Sequence, residues 1–340
     1  MSRTWKTILG VLGLILALLL GWAVFMFRTF EEPPVDPAWA VEGTDDVPDG
    51  AVSVRYTGTA TLVFSDGETT WMTDGWFSRP SLVAVLSAPI EPDIDAIETG
   101  LARNEVDDLV AVFPLHSHYD HAMDAPEVAK RTGALLLGSE STANVGRGWG
   151  LSEEQIRVVE DRVPIQLGAF TITPIVSKHF EFADPELASR ALGDPTIDEP
   201  LKPPVMALDY KVGKAYILHV AHPEGTWLIV GSAGFVEGAL EDYDADVVFL
   251  GVGALGSQTD EYRDTFWDET IQRTSPTRVI PIHWDSLTGP IEGPFTGPVR
   301  AVALRVPGND VLREFLHDKD EANPEIEFIT LPRYDPVVLF

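Results

Sequence analysis

The chain has 340 residues, no cysteine and a formal net charge of −29, from 53 acidic residues against 24 lysines and arginines. That length holds one large domain or two ordinary ones. The shortage of basic residues excludes a nucleic-acid partner, because a phosphate backbone is gripped through a basic footprint.

Residues 8–27 form an uncharged run rich in Leu, Ile, Val and Gly. As a helix it is long enough to cross a hydrocarbon core. Arg3 and Lys6 precede it, and Arg28, Glu31, Glu32 and Asp36 follow. The slight basic bias predicts a cytoplasmic N-terminus, with the rest of the chain outside. Ala38-Trp-Ala40 lies far from the run to be a cleavage site, so an uncleaved signal-anchor is expected. The lipid bilayer is then a partner through residues 8–27. The expected location is the cytoplasmic membrane, single-pass, with the folded part on the periplasmic side in a Gram-negative cell. Zero cysteines suit export. Residues 1–30 read as the anchor, 31–50 as a Pro-rich acidic linker, and 51–340 as one domain, since no composition break divides residues 50–335.

Within the domain, short apolar runs come in pairs early and again late, with helical patterns between. Residues 93–103 have an acidic start and an apolar stripe, which predicts a helix. Asp108-Leu-Val-Ala-Val-Phe-Pro114 reads as a buried strand. It delivers Phe113-Pro-Leu-His-Ser-His-Tyr-Asp-His121, which holds three of the chain's eight histidines within six positions. In an extended segment, residues two apart point the same way, so His116 and His118 can grip one ion together. Asp120 and His121 follow around a turn and can face a second ion. Neutral imidazole and carboxylate suit zinc, with manganese or iron as alternatives. Residues 125–133 then predict a short helix, with proline in its first turn and glycine at its end.

Residues 181–204 are rich in Pro, Asp and Glu and read as a loop. His219 falls in a strand over residues 215–220, and His222 begins a turn over residues 221–225. Residues 245–250 start another buried strand, so Asp246 is not expected as a ligand. Residues 264–273 and 311–317 predict helices, the second carrying His317 near its end. His219, His222 and His317 are read as structural or surface residues.

The His-x-His-x-Asp-His run after a hydrophobic strand resembles the signature of the metallo-β-lactamase superfamily of metal-dependent hydrolases. The resemblance extends from about Val52 to Pro336. Val54-Arg-Tyr-Thr-Gly-Thr-Ala-Thr-Leu-Val-Phe-Ser-Asp-Gly67 is similar to the opening hairpin of that family, and Asp74 to its aspartate at a strand end. Thr171-Ile-Thr-Pro-Ile-Val-Ser-Lys-His179 supplies a third histidine, His179, and Arg278-Val-Ile-Pro-Ile-His-Trp-Asp285 a last one, His283. The Ile-Pro-Ile-His-Trp-Asp ending is most similar to the ascorbate-6-phosphate lactonase-like branch.

The resemblance implies an α+β fold, a four-layer αββα sandwich, here behind one N-terminal transmembrane helix. It implies metal ligands His116, His118 and His179 for one site, and Asp120, His121 and His283 for another, with Asp120 also catalytic. It implies a hydrolase that uses metal-bound hydroxide on an ester, lactone or phosphodiester, with a small-molecule or lipid substrate and one or two zinc ions. The alternatives are a phospholipase D-like enzyme cleaving N-acyl phospholipids, and a metal-binding member with little catalysis. One position departs from the pattern. Where the family has a bridging aspartate, Thr226-Trp-Leu-Ile-Val-Gly-Ser-Ala-Gly234 places Ser232. A neutral hydroxyl is a poorer ligand than a carboxylate, which predicts an altered two-metal arrangement. Substrate-contacting residues and oligomeric state are not legible in the sequence.

Overall fold

A computed structural model describes residues 3–44, 46–182, 185–304 and 306–340. Residues 1 and 2 of the expected anchor, Asp45 of the expected linker, residues 183 and 184 of the expected loop, and Arg305 lie outside the described residues.

The chain opens with helix α1 (Arg3–Arg28), which buries no side chain and has a mean hydropathy of 2.7 over its most apolar stretch. It is long and apolar enough to span a membrane. Strands β1 (Ser53–Gly58), β2 (Thr61–Ser65) and β3 (Thr70–Thr73) form an antiparallel meander. Helices α2 (Leu82–Ser87) and α3 (Ile94–Arg103) lead to strand β4 (Ala111–Phe113), which lies parallel to β3. Helices α4 (Tyr119–Ala122) and α5 (Ala125–Thr132), strand β5 (Leu135–Gly138), helix α6 (Glu140–Trp149) and strand β6 (Ile156–Val158) extend the parallel part.

The second half repeats this plan. Strands β7 (Ile165–Leu167) and β8 (Phe170–Ser177) are followed by helix α7 (Pro185–Leu192) and strands β9 (Ala215–His222) and β10 (Gly225–Val230), all antiparallel. Strand β11 (Val247–Gly251), helix α8 (Asp260–Trp267), strand β12 (Arg278–Ile282), helix α9 (Asn309–Ala322) and strand β13 (Glu327–Phe328) continue in parallel, and β14 (Val337–Val338) returns to pair with β1. Among the described residues this gives two seven-stranded sheets, ordered β14-β1-β2-β3-β4-β5-β6 and β13-β12-β11-β10-β9-β8-β7.

Apolar side chains from both sheets meet between them. Phe64 stacks on Trp71 at 4.8 Å and on Trp227 at 5.3 Å, tying the first sheet to the second. On the outer face of the first sheet, Ile97 of α3 and Val128 of α5 pack with Val63 and Met72. On the outer face of the second, Phe266 of α8 and Leu316 of α9 pack with Leu228 and Val248. Helix, sheet, sheet, helix is the expected αββα sandwich.

Several boundaries differ from the sequence reading. The stretch 181–204 contains α7, a helix the Pro and Asp content concealed. α8 starts at Asp260, before the expected 264, because Thr259 accepts from the Tyr262 N–H as its cap. α9 runs on to Ala322. His222 is the last residue of β9, one position before the turn. The stretch read as a linker lies along the domain: Trp39 is buried, packs against Phe328 with ring centroids 5.0 Å apart and donates its indole N–H to Asp320 at 2.9 Å. The end of α1 is stitched on as well. The Ala301 N–H donates to Met26 O and the Arg300 N–H to Thr29 O, both at 3.0 Å, and the Arg300 guanidinium lies 5.6 Å from the Phe25 ring.

Candidate metal centre

The chemistry-bearing residues follow the C-terminal ends of β3, β4, β8, β10 and β12, at one end of the sandwich. Strand ends on a rigid scaffold hold loops to within a narrow geometry, which is why α/β sites gather there. β4 delivers His116 and His118, and the turn into α4 delivers Asp120 and His121. His179 follows β8, and His283 directly follows β12.

Two groups result. His116, His118 and His179 offer ligand atoms within 4.8 Å of one another, and so do Asp120, His121 and His283. His116 Nε2 faces His118 Nδ1 at 3.1 Å. In the other group, His121 Nε2 lies 3.2 Å from His283 Nε2 and 3.5 Å from Asp120 Oδ2, which is 3.4 Å from His283 Nε2. A tetrahedral zinc with ligands at about 2.0–2.1 Å sets its ligand atoms about 3.3–3.4 Å apart. The spacing of the Asp120, His121 and His283 donors therefore fits a metal ion, and His116 and His118 stand close to the same spacing with His179 beside them. The His116 and His121 ring centroids lie 3.8 Å apart with the rings tilted at 43°, so the two groups adjoin.

The surrounding contacts choose which nitrogen faces inward. Asp74 is fully buried: its Oδ1 accepts the Leu115 N–H at 2.9 Å and its Oδ2 accepts His121 Nδ1–H at 2.6 Å. That leaves His121 Nε2 as the free lone pair. His179 donates Nδ1–H to Phe180 O at 2.8 Å, which likewise frees Nε2. Burial pushes His116 and His179 well below the usual histidine range and His118 down to about 4, so these rings are neutral at pH 7. Burial pushes the Asp120 carboxyl up, but His121, His283 and His118 outweigh it and hold it below the ordinary value. Asp120 is thus a carboxylate across the neutral range.

Backbone strain marks the same residues. Asp74 and His283 have φ of +57° and +59°, a region disfavoured for residues other than glycine. A web of long-range contacts holds His283 there. Its N–H donates to Thr59 O at 2.6 Å; the Thr59 N–H donates to Asp285 Oδ1 at 2.5 Å; and Arg79 reaches Asp285 at 3.3 Å, Thr59 Oγ1 at 2.8 Å and Ser286 O at 2.9 Å. Tyr56 donates its hydroxyl to Thr59 O at 3.0 Å. Gly253 is required beside it, since a Cβ there would come within 2.6 Å of His283 Nδ1.

Ser232 follows β10 and lines one cleft with His118, Asp120, His179 and His283. Its hydroxyl accepts the Phe180 N–H at 3.3 Å, so it props the main chain after His179. Gly234 allows that approach, because a Cβ there would lie 2.1 Å from Lys178 O. Asp246 does not replace the missing carboxylate: it accepts from Thr226 at the other end of β10. The remaining histidines lie elsewhere. His219 contacts Asp244 O at 3.1 Å, His222 contacts Asp66 at 3.4 Å, and His317 contacts Glu321 at 3.4 Å. Sequence reasoning quoted Asp74, Tyr56 and Asp285 without giving them a role, and missed Arg79. Their contacts join residues more than 200 positions apart or sit on irregular loops, where no periodic signal exists.

No protein-family model matches the chain, and no curated protein matches it. Solved structures do. A novel metallo hydrolase from the hyperthermophilic archaeon Ignicoccus hospitalis is 16% identical, with a TM-score of 0.51, covering 85% of this chain and 99% of its own. A possible metal-dependent hydrolase from Veillonella parvula is 12% identical, with a TM-score of 0.50 over 85% and 99% of the two chains. A metallo-β-lactamase fold protein from Bacillus subtilis is 14% identical over 84% and 99%, with a TM-score of 0.46. At these identities the likeness is one of fold. The first two matches and the sheet order carry it.

Proposed function

We propose that the chain is a membrane-anchored, metal-dependent hydrolase acting outside the cytoplasm on an ester, lactone or phosphodiester. The observation that carries this reading is the convergence of six donors in two adjoining groups, the Asp120, His121 and His283 group at zinc-like spacing. His116, His118 and His179 would hold one ion, and Asp120, His121 and His283 a second. Zinc suits this imidazole-rich set. A divalent ion bound there supplies Lewis acidity and lowers the pKa of a water ligand.

The chain's own residues do the rest. Asp120, ionised at neutral pH, can orient a water or take its proton. Asp74 locks the tautomer of His121, and Phe180 O that of His179. The Ile280-Pro-Ile-His-Trp-Asp285 ending favours a lactone among the three bonds.

The test is a panel of soluble and vesicle-borne acyl-lipid esters, lactones and phosphodiesters offered to the purified full-length chain, loaded with zinc and then chelated. Hydrolysis that falls about 100-fold or more on chelation, or in His118→Ala, is expected. Full zinc loading without turnover of any class would favour the second reading, a metal-binding protein with little catalysis, for which Ser232 is the motive.

A further inference from the structure

The cleft holding the metal-ligand groups has a volume of about 600 Å³, and Phe27 of α1 forms part of its wall. Phe27 is the last apolar residue of the run 8–27. A helix of that length rises about 30 Å, the thickness of a hydrocarbon core, so Phe27 lies where the core meets water. The same cleft therefore touches the ligands His118, Asp120, His179 and His283 and a side chain at the membrane boundary.

Its rim is unusual for a water-soluble domain. α2 has the sequence Leu-Val-Ala-Val-Leu-Ser and buries none of its residues. Leu86, which lines the cleft, is 64% exposed, and its neighbour in α2, Val83, is 57% exposed. Leu82, Leu86 and Val302 line the cleft, as does Leu187 of α7. Large aliphatic side chains gathered around one opening mark an apolar partner. The stitching of residues 297–301 to the end of α1 keeps that opening beside the membrane helix. The net charge of −29 gives the domain no general attraction to a membrane surface, so contact there rests on the tether and these apolar residues.

We propose that the occupant of this cleft is the acyl chain of a bilayer amphiphile, which enters past α2 and residues 302–304 and brings its polar end to the ligand groups. This rests on the membrane-anchored hydrolase reading and names its substrate class. A cleft of this volume is in the range that takes a ligand of lipid-chain size. Phe180 and Phe182, packed on each other at 4.8 Å and on His179, provide an apolar wall up to the ligands.

The experiment is photolabelling of the full-length chain in phosphatidylcholine vesicles, a fraction of whose lipid carries a diazirine along one acyl chain. Labelled peptides are mapped by mass spectrometry. Label is expected on α1 and also on Leu86, Val302 and the Phe180–Phe182 stretch. Leu86→Asp and Val302→Asp should each cut the cleft label about tenfold while label on α1 stays constant, since a carboxylate in an apolar wall opposes an acyl chain. Label on α1 alone overturns the proposal, and so does no label at all. Chelated protein should label like the zinc-loaded form, because holding the chain needs no metal. A chain that labels in the cleft but hydrolyses nothing defeats the hydrolase reading and keeps the acyl site. A chain that hydrolyses soluble esters without cleft label does the reverse.

Discussion

If the two ligand groups each hold an ion, a hydroxyl at position 232, where the resembled family has a bridging aspartate, would leave them no carboxylate to share from that position. Two dications a few ångströms apart repel, and a bridging carboxylate would offset part of that. Ser232 instead spends its hydroxyl on the Phe180 N–H. The expected result is one tightly and one weakly bound zinc, with Ser232→Asp tightening the weaker. Calorimetric titration of wild type and variant checks this; two equally tight ions, unchanged in the variant, would mean another group bridges. Asp74 offers a second test at this scale. Asp74→Asn leaves one oxygen for the two donors, Leu115 N–H and His121 Nδ1–H, and should weaken metal binding at the Asp120, His121 and His283 group by about 10–100-fold. The His116, His118 and His179 group should be spared, which equilibrium dialysis can resolve.

Elements are held in place by buried polar contacts that no local pattern announces. Asp124, at the start of α5, accepts from the Phe77 N–H at 2.8 Å, the Ser78 N–H at 2.7 Å and the Ser78 hydroxyl at 2.6 Å, and so fixes the loop before α2. Burial nevertheless pushes Asp124 up from 3.8 to about 6. A carboxyl whose folded pKa exceeds its unfolded one stabilises the fold at low pH, and that contribution is lost as pH rises through about 6. Asp124→Asn stays neutral. Its stability relative to wild type should therefore improve by up to about 3 kcal/mol between pH 4 and pH 8, whatever the fixed offset of the amide. Urea denaturation at the two pH values measures it, and a difference that does not move would remove Asp124 as a buried titrating group. Arg79 plays the matching part for the loop carrying His283. Arg79→Ala uncovers the buried Asp285 and should cost about 3–5 kcal/mol, read as a lower urea midpoint.

The strand-borne parts were legible because apolar residues concentrate in short runs. The run ending in Phe113 showed as an unbroken apolar stretch and α3 as an apolar stripe, while the hairpin over residues 54–67 was legible through the family resemblance. His116, His118, Asp120 and His121 were legible because their chemistry is concentrated in one loop. α7 was hidden by the Pro and Asp around it. The Arg79–Asp285 pair and the φ of +59° at His283 arise only when β12 and the β1–β2 turn come together, so no window of sequence contains them.

At the scale of the whole molecule, two sheets bring strand ends from both halves of the chain to one site, and a single apolar helix is fastened beside it. If α1 is the anchor, alkaline washing should leave the full-length chain in the membrane fraction. Alkaline phosphatase fused after residue 40 should be active, since that enzyme works only outside the cytoplasm. A chain that washes off would remove the tether and the inferred route for an acyl chain together.

The most direct measurement is a calorimetric titration of zinc into the metal-free full-length chain, repeated on His118→Ala and on His222→Ala. Two binding events of unequal affinity are expected in the wild type and in His222→Ala, with the tighter one abolished in His118→Ala. Wild-type binding retained in His118→Ala, or no binding in any of the three, would contradict the assignment of a metal centre to these residues.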